Sequence, residues 1–300
     1  MRSNAVVAKL PAEARARLCD YYALCKPRVV MLITFTAIVG MFLATPGMVD
    51  LYVLWWGSVG ITMMAAAAAA LNQVLDRHVD ARMARTCGRP LVTGNLGMLE
   101  CVLLAALLGT GGFALLHALI NPLTAWLTLA TLIGYAGVYT LYLKRATPQN
   151  IVIGGAAGAA PPVLGWAAVT GEVHAHALLL FLIVFVWTPP HFWALAIERR
   201  DEYAQVDIPM LPVTHGIDYT RTQVLLYTIL LVAVTMLPFV TGMSGWLYLV
   251  NALVFGGIFL GYALRMKFAP VPGLPMRTFR YSIVYLTALF TALLLDHYLI

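Results

Sequence analysis

Charged residues are scarce in this chain of 300 residues. Asp, Glu, Lys and Arg make up 11% of it, whereas 61% of its residues are hydrophobic. A soluble globular domain carries about 25% charged residues, so this composition excludes an ordinary soluble protein and indicates a polytopic membrane protein. The first 27 residues hold no continuous apolar run, which predicts no cleaved signal peptide. The four cysteines form no CxxC pair, and we interpret them as structural.

Long apolar stretches fill most of the chain and predict an all-α fold. Nine of them approach the length that crosses about 30 Å of hydrocarbon. They lie at 28–45, 51–72, 97–117, 122–143, 150–169, 177–197, 223–242, 245–264 and 280–298. The fifth has the weakest signal because Pro161 and Pro162 interrupt it. We therefore predict an interfacial segment at 1–27, followed by a domain of nine transmembrane helices at 28–300.

The basic residues sort to one side of this predicted topology. If the N-terminus is cytoplasmic, all 19 Lys and Arg residues fall in the N-terminal segment, in the loops after even-numbered spans or, for Arg28 and Arg280, at the first residue of the span that follows. The loops on the other side hold none. This is the pattern of the positive-inside rule, and it accounts for the net charge of +6 without a nucleic-acid partner.

Polar groups gather at the cytoplasmic end of the second predicted span. Asn72, Asp76 and Asp80 recur every four residues, so they share one helix face. Two carboxylates and an amide on one face suit Mg²⁺, which takes oxygen ligands and often bridges to phosphates. The arginines that follow could neutralise the same phosphates; they are Arg82, Arg85 and Arg89. The alternative is a solvated helix end, where Asp–Arg pairs contribute little.

A second acidic cluster follows the sixth span at the same predicted depth. Glu198 and Glu202 are four residues apart, with Asp201 beside them. Two acidic faces that face each other would suit two metal ions clamping a diphosphate. Lys144 and Arg145 lie on the same side, after the fourth span, and could contact the leaving diphosphate or simply set the topology.

His191 lies among aromatic residues in the stretch "FVWTPPHFWALAI", just after Pro189 and Pro190, which should kink the sixth helix. Such a histidine is more often a hydrogen-bonded structural residue than a ligand. Its functional interpretation is contact with a large planar ligand, through iron or a propionate.

The motif Asn72-x-x-x-Asp76-x-x-x-Asp80 resembles the first signature of the intramembrane aromatic prenyltransferases, the UbiA-type superfamily. Four wider stretches are similar to its haem-prenylating branch: "NxxxDRxxDxxMxRTxxRPLVTG", "YTxxLKRxTPQNIVIGGAAGAAPPxxGW", "TPPHFWALAI" and "DEYAxxxIPMLPVxxG". The likeness runs from about Lys26 onward. The second acidic motif departs from the superfamily's DxxxD, since Glu198 and Glu202 fill that spacing; the haem branch favours Glu202 as the metal ligand.

The resemblance implies a nine-helix bundle around a central cavity, in which farnesyl is transferred from farnesyl diphosphate to a vinyl group of haem B. Water addition would then give haem O. Mg²⁺ would be the cofactor, with haem B as substrate rather than cofactor. The implied metal ligands are Asn72, Asp76, Asp80 and Glu202, and the implied catalytic groups are Asp76, Asp80, Glu202 and Lys144. The implied substrate-binding residues are Asn72, Arg82, Arg85, Arg89, Arg145, Asn150, His191, Glu198 and Asp201.

Other functions fit the sequence less well. A related enzyme could prenylate a quinone precursor or another aromatic acceptor. A transporter would place its intramembrane acids near the midplane, whereas these acids lie at helix ends beside arginines. A haem-binding assembly factor would leave the acidic clusters unexplained. We expect a multi-pass protein of the bacterial inner membrane, with a haem A synthase or terminal oxidase assembly machinery as possible partners.

Overall fold

A computed structural model describes residues 12–299, which form helices joined by short loops, with no strand among them. Residues 1–11, part of the predicted interfacial segment, lie outside the described part. The long helices are α1 (Ala12–Leu24), α2 (Pro27–Leu43), α3 (Leu51–Asp80), α4 (Met98–Leu119), α5 (Pro122–Ala146), α6 (Asn150–Thr170), α7 (Ala175–Glu198), α8 (Ile217–Val240), α9 (Trp246–Phe268) and α10 (Leu274–Leu299). Short helices at Pro90–Thr93, Arg200–Ala204 and Leu211–Thr214 lie in loops.

Eight of the nine predicted spans are confirmed, and the first is found only as part of a bent pair of helices. Eight helices, α3 to α10, are each long and apolar enough to cross a membrane, and α2 completes the set when it is taken with α1. These two helices meet at a bend of 52°, where Lys26 adopts a left-handed backbone conformation (φ 49°). Asn150–Thr170 forms one span despite Pro161 and Pro162, because Ala160 between its two halves keeps helical dihedral angles.

Small residues let the helices approach one another closely. A methyl group added at Gly165 in α6 would lie 1.9 Å from the Ala37 carbonyl oxygen in α2. One added at Gly40 would lie 2.2 Å from the Pro162 carbonyl oxygen. Only glycine therefore allows α2 and α6 to pack backbone against backbone, as small residues do between membrane helices. The alanine run of α3 is buried in the same way from Ala66 to Ala70.

The fourth span changes its helical pitch before it reaches its C-terminal end. Residues Gly134–Leu143 form a π-helix between the α-helical start of α5 and its last turn. Within it, the Thr140 hydroxyl donates to the Tyr135 carbonyl oxygen at 2.8 Å. Segments of π-helix occur mostly at functional sites, and this one aims Thr140 and Lys144 at α3.

A buried aspartate on the other side of the membrane joins the last two helices. Asp296 is fully buried in α10 and accepts hydrogen bonds from the backbone N–H groups of Gly245 and Tyr248. Those groups begin α9, so Asp296 caps that helix from a neighbouring one. The carboxylate therefore has a structural role, although the sequence alone gives no sign of it.

Candidate active site

The first acidic motif lies on the last two turns of α3. Asn72, Asp76 and Asp80 are 5%, 2% and 3% exposed, so the predicted shared face points into the protein rather than into solvent. Buried carboxylates are costly unless they are paired. The solvated helix end that the sequence left open is therefore wrong for these three residues.

Residues of α5 pair with this face in matching register. The Lys144 amine lies 2.6 Å from Asp76 Oδ2, and the Asn72 amide donates to the Thr140 hydroxyl at 3.1 Å. Asn72 and Asp76 are four residues apart on α3, and their partners Thr140 and Lys144 are four residues apart on α5. The two pairs follow in the same order along both helices because α3 and α5 run in the same direction across the membrane. Lys144 thus lies beside the acidic motif in space.

Two further cations complete the cluster. The Lys26 amine contacts Asn72 Oδ1, and the Arg89 guanidinium contacts Asp80 Oδ2. Lys26 reaches Asn72 from the bend between α1 and α2, and Arg89 reaches Asp80 from the residue before the short helix Pro90–Thr93. We call Lys26, Asn72, Asp76, Asp80, Arg89 and Lys144 the diphosphate cluster. It holds three basic side chains and two carboxylates, a composition that suits an anionic ligand.

The donor set of the diphosphate cluster fits Mg²⁺ together with a phosphate ligand. Asp76 Oδ1 is buried and has no hydrogen-bond partner in the described residues, although Asp76 Oδ2 accepts from both Asn72 and Lys144. Mg²⁺ usually binds one or two carboxylates and takes its remaining ligands from phosphates and water. Within residues 12–299, no three His, Cys, Asp or Glu side chains form a metal-binding group by themselves.

The second acidic cluster is built differently. Glu202 is partly buried and paired with Arg199, and its Oε2 has no partner in the described residues. Asp201 and Glu198 are both exposed. Glu202 is therefore the most enclosed of the three carboxylates. That it shares metal ions with the first motif stays a prediction.

Tyr203 connects the two regions. Its phenol is buried next to Glu202, and burial raises its pKa, while Arg85 lowers it and Glu202 raises it. The phenol therefore stays neutral at physiological pH. Val79 of α3 and Tyr203 belong to one buried apolar cluster, which holds the second acidic segment against the first.

The other predicted substrate-binding residues divide by exposure. Arg82, Arg85 and Arg145 are exposed on the predicted cytoplasmic side. Asn150 is fully buried; its amide donates to the Thr147 carbonyl oxygen at 2.7 Å, and its Oδ1 has no partner in the described residues. Asn150 thus closes the turn that begins α6, and its free oxygen points into the protein.

His191 is buried between α7 and α10. Its Nδ1 lies 2.6 Å from the Ser282 hydroxyl, and its ring stacks on Trp187 with centroids 4.2 Å apart. Phe279 packs against the same ring at 4.5 Å. α7 runs as one helix through Pro189 and Pro190. The hydrogen bond from Nδ1 to Ser282 fits a structural role for His191. Nε2 has no hydrogen-bond partner in the described residues and could still contact a ligand.

Sequence reasoning missed three residues of these sites. Lys26 entered only the charge count, although the Lys-Pro pair before the first span was a usable signal. Thr140 and Ser282 lie in apolar helices without any motif spacing. Their roles depend on which helix faces meet.

The sequence matches the UbiA prenyltransferase family over residues 33–293. It is 62% identical over 280 residues to a protein of Methylococcus capsulatus named protoheme IX farnesyltransferase, covering 93% of this chain and 94% of that one.

Solved structures share the fold at low identity. A UbiA homolog from Aeropyrum pernix superimposes with a TM-score of 0.74 at 19% identity, covering 90% of this chain and 98% of that one. A UbiA homolog from Archaeoglobus fulgidus bound to GPP and Mg²⁺ superimposes with a TM-score of 0.60 at 18% identity, covering 91% and 99%. At these identities the structures support the helical membrane fold.

Proposed function

The chain belongs to the UbiA prenyltransferase family, and on that premise we propose that it transfers the farnesyl group of farnesyl diphosphate to a vinyl group of haem B, with addition of water, to give haem O and diphosphate. The acceptor and the prenyl donor are supported by the name of the relative that is 62% identical over nearly the whole chain. The observation that carries the chemistry is the diphosphate cluster, with its one unpartnered carboxylate oxygen on Asp76.

Departure of diphosphate requires that its negative charge be neutralised as the allylic C–O bond lengthens. Mg²⁺, which the solved relative with GPP contains, would supply part of this neutralisation when it is held by Asn72, Asp76 and Asp80. Glu202 is the further ligand proposed from the second motif.

Lys144, Lys26 and Arg89 supply the rest of the positive charge. In the structure they are held by Asp76, Asn72 and Asp80, so their ammonium and guanidinium groups are already oriented toward the place where phosphate oxygens would lie. Preoriented donors stabilise developing charge without a reorganisation cost at the moment of reaction. The exposed Arg82, Arg85 and Arg145 would attract the charged substrate from the cytoplasmic side.

The apolar interior would protect the allylic cation from premature capture by water. A haem vinyl group would attack this cation, and water would then add to the resulting cation beside the porphyrin. The bilayer suits both reactants, since farnesyl and haem are largely apolar. A haem A synthase or oxidase assembly machinery would be the partner that receives haem O.

The test is haem O formation by purified protein in detergent with haem B, farnesyl diphosphate and Mg²⁺, followed by chromatography and mass spectrometry. Asp76→Asn should lower the rate by about 100-fold or more, because the carboxylate that would hold Mg²⁺ and that orients Lys144 is lost. Asp218→Asn is the matched control, since Asp218 also pairs with a lysine, Lys267, but in an exposed pair outside the cluster. It should retain activity within about twofold.

Removal of Mg²⁺ with EDTA should abolish the wild-type reaction, and added Mg²⁺ should restore it. Full activity of Asp76→Asn would refute the role of the diphosphate cluster. Wild-type protein that prenylates an aromatic acid but not haem would leave that role intact and refute the acceptor.

A further inference from the structure

We infer that His191 binds the iron of the haem substrate through Nε2, and that Ser282 is the positioning residue that fixes the ring for this task. The inference rests on the proposed function, because it names the residue that orients the acceptor. It stands on contacts between α7 and α10, none of which involves a residue of the diphosphate cluster.

The hydrogen bonds at Ser282 determine the tautomer of His191. Ser282 Oγ lies 2.6 Å from the Phe279 carbonyl oxygen, which can only accept, so the hydroxyl proton is donated there. The same oxygen lies 2.6 Å from His191 Nδ1 and must accept at that contact. Nδ1 therefore carries the imidazole proton, and Nε2 carries the free lone pair.

The ring is also fixed in orientation. Trp187 stacks on it at an interplanar angle of 21°, and the Trp187 indole N–H donates to the Ser282 carbonyl oxygen at 2.8 Å. Ser282 thus holds both the imidazole and the ring stacked on it. A histidine whose Nδ1–H is bound to a protein oxygen is the usual arrangement behind an Nε2 metal ligand, because the bond sets the ring orientation and raises ligand basicity.

Nε2 forms no hydrogen bond with the described residues, whereas Nδ1, the Ser282 hydroxyl and the Trp187 indole N–H are all paired. Its lone pair is therefore free to bind a ligand. Among the ligands of the proposed reaction, haem B is the one that offers a soft acceptor for an imidazole lone pair, namely iron with an open axial position.

The position along α7 suits this role. His191 lies seven residues before Glu198, which is about 10 Å along the helix from the cytoplasmic end. The porphyrin would thus lie within the apolar layer, deeper than the charged diphosphate head. Axial ligation by one histidine would fix the distance and tilt of the porphyrin while leaving its edge, with the vinyl groups, free to react.

The test is titration of the full-length protein in detergent with haem B, without farnesyl diphosphate, followed by the visible absorption spectrum. Wild type should show a histidine-ligated haem spectrum. His191→Gly should lose it, and added imidazole should restore it by occupying the vacated space. His117→Gly is the control, because His117 is an exposed histidine in α4 that should not change the spectrum.

Ser282→Ala tests the positioning role separately. It should keep the histidine-ligated spectrum but weaken haem affinity by about 10-fold or more, as loss of a second-layer partner does at metal sites. In the His191→Gly background the same substitution should have no further effect, since Ser282 acts through His191. If His191→Gly cannot be recovered folded, Ser282→Ala alone decides, and affinity within twofold of wild type overturns the inference.

An unchanged spectrum in folded His191→Gly also overturns it. Assaying haem O formation on the same wild-type preparation separates the two proposals. Haem O with a spectrum indifferent to His191 refutes the ligand and leaves the proposed function standing. Absence of both haem O and haem binding in wild type refutes the proposed function.

Discussion

At the scale of single residues, each polar group of the first motif already has a cation of the same chain beside it. Lys26, Lys144 and Arg89 are bonded to Asn72, Asp76 and Asp80 respectively. This pairing offsets the cost of burying two carboxylates at a membrane helix end. A bound diphosphate would draw on the same three cations, so we expect them to pass from carboxylate to phosphate oxygens.

Lys26 provides the sharpest test at this scale. Lys26→Met keeps the length of the side chain and removes its charge, so the KM for farnesyl diphosphate should rise by about 10-fold, the cost of one charge-assisted hydrogen bond. The KM for haem B should stay unchanged, because the Lys26 amine contacts Asn72 of the diphosphate cluster and not the proposed haem ligand His191. Both constants are measured from haem O formation.

Lys267→Met is the control for Lys26→Met. Lys267 is also a lysine on the predicted cytoplasmic side with a carboxylate partner, Asp218, but it lies outside the diphosphate cluster. It should leave both KM values within about twofold of wild type. Equal KM values for farnesyl diphosphate in the two variants would contradict a role for Lys26 in binding it.

At the scale of helices, close packing decides where the site residues lie. Gly154 and Gly155 let α6 fit between its neighbours: a methyl group at Gly154 would collide with the Tyr139 ring of α5, and one at Gly155 with Thr188 of α7. Tyr139 precedes Thr140, which binds Asn72. The glycine pair therefore lets α6 pack closely against both α5, which carries Lys144, and α7, which carries His191.

Gly165→Ala should destabilise the protein by at least about 1–3 kcal/mol, because the new methyl group would be forced against the Ala37 carbonyl oxygen of α2. Gly158→Ala, on the same span, is the matched control: its methyl group would have no atom within 4 Å. Thermal unfolding in detergent measures both. Equal midpoints for the two variants would show that α2 and α6 do not pack as described.

At the scale of the whole molecule, the distribution of Lys and Arg predicts that the N-terminus and both acidic clusters face the cytoplasm. Cys19 and Cys87 are exposed on that predicted side. A membrane-impermeant maleimide should therefore label the protein in inside-out vesicles and leave it unlabelled in intact bacterial spheroplasts.

Gly47→Cys is the control for labelling from the opposite side of the membrane. Gly47 is exposed in the loop between α2 and α3, where an added side chain meets no other atom within 4 Å. This variant should be labelled in spheroplasts. Labelling of the native cysteines in spheroplasts would invert the topology and move the diphosphate cluster to the outer face.

The sequence by itself determined eight of the nine predicted spans, because each one carries its own apolar length. It also determined the helical face of Asn72, Asp76 and Asp80, because its spacing is local. It also indicated Lys144 and Arg89 as cations near that face. Only the tertiary structure decided which carboxylate each cation meets. It also brought in Lys26, Thr140 and Ser282, whose positions depend on a left-handed bend, a π-helical register and the meeting of α7 with α10. The physical reason is that burial and helix periodicity act along the chain, whereas pairing across helices depends on close packing at residues far apart in sequence.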